Sequence, residues 1–489
     1  VPLHLPIGRP EGSARRNRTM PERKRVLLFQ LPLFGVQRGR FCVPQGLLSI
    51  AGFLERHGHE CAVYPLDFLM LQKHNAETLS DRDTFAAVAR EEIKSLIEQH
   101  RPHIVGTGVM SAEYRMGKEL LAYIKTLDPD ILTVIGGPHV TFYDRECLSE
   151  EKNIDVVVRR EGEWTLLDLV NAVARKQDFA QIPGCTYRDR NGEIIQNPER
   201  PFGNLEDLPL PDYTRLPRRF VNESWIPIVF SRGCPFNCHF CQESVFWGHR
   251  VRGRTIASII QELSMIADNY DNQVVALQDS LFNSSKKYCS EICRELKTLQ
   301  LKLVTYIHLR TDFVSQMLFR ELRETGMITA VSFGIESASP RVLKFMNKKS
   351  TVEDCYRACR MAKEHGFDVH TLWIIGHPGD SPKEFQLSLD TMRDLWENKL
   401  HDGLDISIFY PYPGTYIYEN REKLGIRMLT SDWEDYASGD NPVCELEEFS
   451  AREIMKYLEQ VSNMRDSYLF LNKVTRAKTG GALHRKLRE

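Results

Sequence analysis

The sequence predicts an α/β protein with two parallel-sheet units, a doubly wound N-terminal sheet and a partial (β/α)6 barrel, then a small, mostly helical C-terminal region. Three observations carry this. Short apolar runs alternate with amphipathic helical stretches in two separate series. A proline-rich stretch without periodicity parts the two series. The second series opens on SRGCPFNCHFCQESVFWGHRVRGR (231–254), which places Cys234, Cys238 and Cys241 in a C-x3-C-x2-C pattern.

Bulk properties narrow the class. The 489 residues suit roughly two to four domains. Hydrophobic residues are 42% and charged residues 27%, an ordinary globular mix. Lys plus Arg is 64 and Asp plus Glu is 66, for a net charge of −2. That balance gives no bulk case for nucleic acid or an anionic membrane as a partner. No apolar run approaches the ~18–20 residues of a spanning helix, and residues 1–22 lack an apolar signal core. The expected location is the cytoplasm, with the 12 cysteines reduced and any cysteine cluster metal-binding or catalytic.

Residues 1–22 are rich in Pro, Gly and Arg and read as a disordered leader, with Met20 a candidate natural start. From 23 to 182 the first series runs. Strands are expected at 26–31, 60–66, 103–109, 131–135 and 154–158, and helices at 46–57, 85–100, 116–127 and 165–175. Gly58 and Pro102 supply stops. Such a sheet takes its ligand at the carboxyl ends of the strands, near the switch point. Residues 183–225 read as a linker, with a hairpin across Asp189–Gly192 and prolines 201, 209, 211 and 217. Residues 226–415 hold the second series, with strands at 226–231, 274–280, 302–310, 330–337, 368–376 and 403–411. Six repeats are too few for a closed eight-strand barrel and imply an open one, with its active face at the strand ends. Residues 416–489 read as mixed but mainly helical from 450 to 473, with a basic, solvated tail.

The cysteine loop is the chief chemical signal. Three thiolates so close in sequence suit an iron–sulfur cluster gripped by one loop, leaving one of four irons open. Zinc would want a fourth ligand, and His239 is the only local candidate, poorly placed for that role. Cys289 with Cys293, and Cys355 with Cys359, stand four apart in amphipathic stretches and read as helix-face packing. Polar groups close the later barrel strands: Gln278-Asp279-Ser280, Arg310, Glu336 and Gly376-His377. Charges there need a ligand or each other, and an Arg310–Glu336 ion pair is the structural alternative. Phe246-Trp247 and arginines 250, 252 and 254 read as a loop packed over the cluster and paired with acidic residues, in preference to a nucleic-acid surface.

The motif, with Phe240 before the third cysteine and six repeats behind it, resembles the radical S-adenosylmethionine (SAM) superfamily. That resemblance implies that Cys234, Cys238 and Cys241 bind a [4Fe-4S] cluster whose open iron takes SAM. It also implies that Glu336 bonds the SAM ribose or amino group, and Arg310 its carboxylate. Phe240 and Ile375 would frame the adenine, with Gln278 completing the set. Many relatives carry two acidic residues where this chain has Asp279-Ser280, so the carry-over is weaker at that strand. The order of doubly wound sheet, proline-rich linker and cysteine loop resembles the subfamily with a Rossmann-like cobalamin-binding domain. There Gly136, Gly137, His139, Glu161 and Gly162 would contact cobalamin, and Met110 and Ser111 would cover its lower face. The chain lacks the D-x-H-x-x-G that supplies a lower histidine ligand in other cobalamin domains.

The implied function is methylation of an unactivated carbon, or a phosphorus, of a small biosynthetic intermediate by way of methylcobalamin and a 5′-deoxyadenosyl radical. A flavodoxin-like or ferredoxin-like protein would supply electrons. The alternatives are a non-methylating outcome of the same radical (ring contraction, cyclisation or oxidation) and a non-catalytic cobalamin and iron–sulfur carrier. A methylthio-transferring RNA enzyme fits less well, because Cys42, Cys61 and Cys147 are scattered and the tail reads as helical.

Overall fold

The computed structural model describes residues 22–32, 41–75, 77–271, 275–299, 305–436 and 441–479. The leader up to residue 21, with Met20, and the last ten residues of the basic tail lie outside them.

The first series forms a seven-stranded sheet in the order β3-β1-β4-β5-β6-β7-β8. Its parallel part is β3 (Glu60–Pro65), β1 (Arg25–Gln30), β4 (Ile104–Gly108), β5 (Leu132–Gly136) and β6 (Val156–Val158). Alternate side chains of β1 serve two cores, Val26 and Leu28 on one face and Leu27 and Phe29 on the other. A strand buried on both faces reads as an unbroken apolar run, which is why these strands were visible in sequence. The chain leaves β1 for β3 on one side and reaches β4 on the other, so the switch point lies between β1 and β4. The hairpin β7 (Cys185–Arg188) and β8 (Ile194–Gln196), expected in the linker, instead extends this sheet antiparallel from β6. Cys185 and Thr186 are fully buried there, so the pairing hides an edge that β6 would otherwise expose.

The barrel strands are β9 (Ser224–Ile228), β12 (Val275–Leu277), β13 (Thr305–Leu309), β14 (Ile328–Glu336), β15 (Asp368–Ile375) and β16 (Gly403–Ile408). Pairings among them are parallel, β12 with β9 and then β13 through β16 in order. Ahead of them in the chain, the two-residue strand β2 (Phe41–Cys42) pairs parallel with β9, Phe41 opposite Ser224. The N-terminal unit therefore covers one edge of the open barrel, and Phe41 seals the joint against Phe68 and Phe220. Between β9 and β12, β10 (Ser231–Arg232) and β11 (Arg252–Gly253) pair antiparallel and pinch off the cysteine loop. The cysteine pairs 289/293 and 355/359 are buried within helices Lys286–Leu299 and Val352–Glu364, as core packing requires.

The C-terminal region holds more than helix. An antiparallel pair, β17 (Ile426–Met428) and β18 (Cys444–Leu446), precedes helix Ala451–Thr479. Among the described residues no helix is long and apolar enough to cross a membrane.

Gly137 begins the short helix Pro138–Thr141 with φ +103, and a Cβ there would lie 2.6 Å from the Val109 carbonyl oxygen. Its glycine serves the packing of two strand ends as well as the backbone conformation. Gly137→Ala is expected to destabilise the full chain by about 1–3 kcal/mol and lower its calorimetric unfolding midpoint. Gly46→Ala, whose added methyl meets nothing within 4 Å, is expected to leave the midpoint unchanged or slightly raised.

Candidate active site

The cysteine loop begins where Ser231 and Arg232 leave the first barrel strand. Asp279, buried at the end of β12, accepts hydrogen bonds from the Phe230 peptide N–H (2.7 Å) and the Ser231 hydroxyl (2.6 Å). Burial pushes its carboxyl up to about 6, with the Ser231 hydrogen bonds opposing that rise. Asp279 thus pins the strand that delivers the loop. Gly233, at φ +108, follows, and a Cβ there would fall 1.8 Å from the Arg250 carbonyl oxygen. No other residue fits between Arg232 and Cys234.

Cys234, Cys238 and Cys241 are free and half-buried. Burial pushes the Cys241 thiol up to about 12 and Cys234 in the same direction, so iron must displace their protons on binding. Among the described residues no three His, Cys, Asp or Glu side chains converge tightly enough to hold one metal ion. A cluster, in which each iron takes one thiolate, does not require such convergence. The loop's middle is sewn to the barrel: the His239 N–H donates to the Met346 carbonyl, and the His239 carbonyl accepts from the Ile417 N–H. The donor set and its backbone fit a cluster.

Around the loop on the barrel side stand the residues expected to meet SAM. Arg310 and Glu336 do not pair with each other, which corrects the ion-pair alternative. Arg310 forms a two-pronged pair with Asp312 at 2.9 and 2.8 Å, stacks 3.9 Å from the Phe236 ring centroid, and turns Nη1 toward Cys238 Sγ at 3.8 Å. Asn283 brackets the Arg310 backbone, accepting from its N–H and donating to its carbonyl. Glu336 accepts from Lys348 Nζ at 2.7 Å, which also donates to the Gly334 carbonyl at 2.6 Å. Its backbone is left-handed, φ +68, at a register break in β14. A Cβ on Gly334 would meet the Glu336 carboxylate at 2.5 Å. A non-glycine residue held in that region marks stored strain of the kind found at binding sites. Ile375 is fully buried, and the Phe240 ring meets the buried His377 edge-on at 5.9 Å. Asp312, Lys348 and Asn283 escaped sequence reasoning. Asp312, two residues after Arg310, was the one with a local signal.

Facing this region is a cavity of about 590 Å³ between the two units. One wall is the carboxyl ends of the N-terminal strands, with Gln30, Gly108, Gly136 and Val158. The other includes Ser231, Arg232, Gln278 and Ser280, and the linker residues Leu208–Pro211 close one side. Met110, Gly137, Glu161 and Gly162 also line it, whereas Ser111, His139, Phe240, Arg310, Glu336 and Ile375 do not. Gly46 and Gly108 line the cavity with nothing within 4 Å of an added Cβ, leaving open backbone against which a broad ring can lie. That cradle and the apolar floor of Leu28, Leu31 and Val134 fit a corrin. His139 is instead enclosed by Tyr114, Tyr143 and Trp433, with Nδ1 3.0 Å from the Ser111 hydroxyl. Burial pushes its imidazole down to about 3, so it is neutral.

Glu161 does more than line the cavity. It accepts from Arg232 and Arg252, while Glu163 accepts from Arg232 and Ser49, all at 2.7–3.0 Å. Burial alone would raise the Glu163 carboxyl, but the Arg232 charge and its hydrogen bond outweigh burial and hold it below the usual carboxylate range. Arg254 pairs with the buried Glu262. The expectation that these arginines meet acidic residues thus describes Arg252 and Arg254.

Comparison with known proteins adds the following. The radical SAM superfamily model matches residues 228–392, and the B12 binding domain model matches residues 33–170. An uncharacterized methyltransferase of Pyrococcus horikoshii is 32% identical over 377 residues, which cover 76% of this chain and 80% of that protein. An anaerobic magnesium-protoporphyrin IX monomethyl ester cyclase of Rubrivivax gelatinosus is 28% identical over 363 residues, covering 71% of this chain and 63% of that protein. Among solved structures, the radical SAM methyltransferase TsrM of Kitasatospora setae, with cobalamin and a [4Fe-4S] cluster bound, superimposes with a TM-score of 0.66 at 19% identity. That match covers 83% of this chain and 76% of TsrM, and it establishes likeness of fold.

Replacing any one of Cys234, Cys238 or Cys241 by Ala is expected to abolish the iron–sulfur absorption of anaerobically reconstituted protein. Cys293→Ala, in a packed helix, is expected to retain it. Iron and sulfide analysis alongside the visible spectrum checks both.

Proposed function

The chain belongs to the radical SAM superfamily and carries a B12 binding domain ahead of its barrel, and from that premise we propose that it methylates an unactivated carbon, or a phosphorus, of a small biosynthetic intermediate. Its cofactors are those of the two domains: a [4Fe-4S] cluster, SAM and cobalamin. The observation that carries the reading is the shared cavity, whose walls come from the strand ends of both units. When bound, the cluster and SAM supply a 5′-deoxyadenosyl radical, and cobalamin supplies the methyl group.

The chain's own residues bind, orient and exclude water. Cys234, Cys238 and Cys241 would hold three irons. Arg310 has its Nε edge occupied by Asp312, which leaves Nη1, beside Cys238, for the SAM carboxylate. Glu336 has one carboxylate oxygen on Lys348 and offers the other to SAM. Phe240 and Ile375 would frame the adenine, with Gln278 at the border of the cavity. Met110, half exposed at 58%, lies beside Gly108 and Gly136 on the cobalamin side. Gly136, Gly137, Glu161 and Gly162 complete that wall, and Ser111 and His139 brace the Met110 loop from behind. A one-electron donor of the flavodoxin or ferredoxin kind and a cytoplasmic setting complete the proposal.

One relative is named a cyclase, which favours a second reading in which the same radical begins ring closure without methyl transfer. Anaerobic turnover with cobalamin, reductant and SAM bearing a deuterated methyl separates the two by product mass. Methylation is expected, with label in the product; an unlabelled product of altered hydrogen count would instead select the second reading. Glu336→Gln, which weakens a hydrogen bond to a charged group worth about 1.5–3 kcal/mol, is expected to reduce SAM affinity about tenfold or more. The cluster spectrum should be unchanged, and calorimetric titration of SAM into the reconstituted variant measures the loss.

A further inference from the structure

The turn 160–163, at the carboxyl end of β6, holds the cysteine loop at both of its ends. Before the loop, Arg232 stands two residues ahead of Cys234 and is gripped by Glu161 (2.7 Å) and Glu163 (2.8 Å). After the loop, Arg160 Nη1 donates to the carbonyls of Val245 (2.7 Å) and Phe246 (2.5 Å), which close the short helix following Cys241. Arg252, on the strand paired with Arg232, returns to Glu161 at 2.8 Å. Trp247 lies between the two arginines, 5.6 and 5.9 Å from their guanidinium carbons. Glu161 and Glu163 are only 6% and 3% exposed.

Two features set this apart from ordinary packing between units. Arg160 adopts a left-handed backbone, φ +59, a conformation that costs a non-glycine residue free energy unless its surroundings impose it. Arg160, Glu161, Gly162, Glu163, Arg232, Phe246 and Trp247 also all line the cavity. Whatever fills the cavity therefore touches both the grip and the loop ends it holds.

We propose that the turn 160–163 is a positioning element that couples occupancy of the cavity to the conformation of the cysteine loop, through Arg232 at one end and the Val245–Phe246 carbonyls at the other. This rests on the reading of the cavity as the cobalamin site. Arg160, Glu161 and Glu163 are positioning residues: they act through the loop that carries the cluster ligands. Ligand binding shifts the loop only if the ligand interacts differently with the free and filled arrangements of these groups. A buried, directional ion network is suited to that, since its geometry has few alternatives.

The test is hydrogen–deuterium exchange on the full chain carrying its reconstituted cluster, with and without hydroxocobalamin, read beside the electron paramagnetic resonance (EPR) signal of the reduced cluster. In the wild type, cobalamin is expected to slow exchange in peptides covering 232–254 by about fivefold or more, the lower end of ordinary coupling between sites, and to shift the cluster signal. Because Glu161 also lines the cavity, hydroxocobalamin is raised in the doubly substituted Glu161→Gln, Glu163→Gln chain until the site is filled, read as protection of the strand ends at 106–110. Protection of 232–254 and the shift of the cluster signal should both be lost. Arg160→Met, which removes the Arg160–Glu199 pair but leaves the Arg232 and Arg252 ion pairs intact, is the second variant should the first not fold; it is expected to lose protection at 242–254 alone. Cobalamin that binds and protects 106–110 without affecting 232–254 in the wild type overturns this proposal and leaves the functional reading standing. So does loop protection that persists in the variants. Failure of the wild type to bind cobalamin overturns both.

Discussion

Arg232 is the residue on which the arrangement turns. It follows the first barrel strand and precedes Gly233 and Cys234, so its position sets where the cluster loop begins. Two nearly buried carboxylates from the N-terminal unit, Glu161 and Glu163, take its guanidinium. Removing one member of such a buried pair typically costs about 3–5 kcal/mol, because the other is left charged and unpaired. The two units are therefore joined by a charge contact whose geometry is narrow, at the place where the chemistry needs them in register. The edge pairing of Phe41–Cys42 on Ser224–Trp225 supplies a second, backbone-level joint a few residues upstream of the same strand.

The barrel side shows the same economy with different means. Arg310 and Glu336 are each held by a private partner, Asp312 and Lys348. Neither has to satisfy the other, so each keeps one edge available. Asn283 fixes the Arg310 backbone, and Gly334 clears room for the Glu336 carboxylate. The left-handed Glu336 sits at the end of a long buried strand, where packing on both sides can hold it against its own preference.

Much of the fold was legible because the central strands of the N-terminal sheet are buried on two faces and read as apolar runs, while the barrel strands keep a regular apolar face, with cysteines 234, 238 and 241 marking the functional end of the barrel. The pairing of β2 with β9 was not legible: two residues carry no periodicity, and their partner lies far along the chain. The hairpin at 185–196 was legible as a hairpin, but nothing local told which sheet would receive it. The site was legible in its residue types more than in its pairings. The E-G-E turn drew notice as a cobalamin contact, yet its carboxylates bind arginines across the unit boundary. Lys348 is indistinguishable in sequence from its exposed neighbour Lys349, and only the fold turns it toward Glu336.

The central claim is that cobalamin lies against the two ends of the cluster loop, because the walls of one cavity belong to both units. Pulsed EPR on protein carrying a reduced cluster and cob(II)alamin tests this most directly. The account predicts a clear dipolar interaction between the two spins when both are bound, absent when either is left out. Two undisturbed spectra that simply add, with both cofactors bound at full stoichiometry, would contradict it.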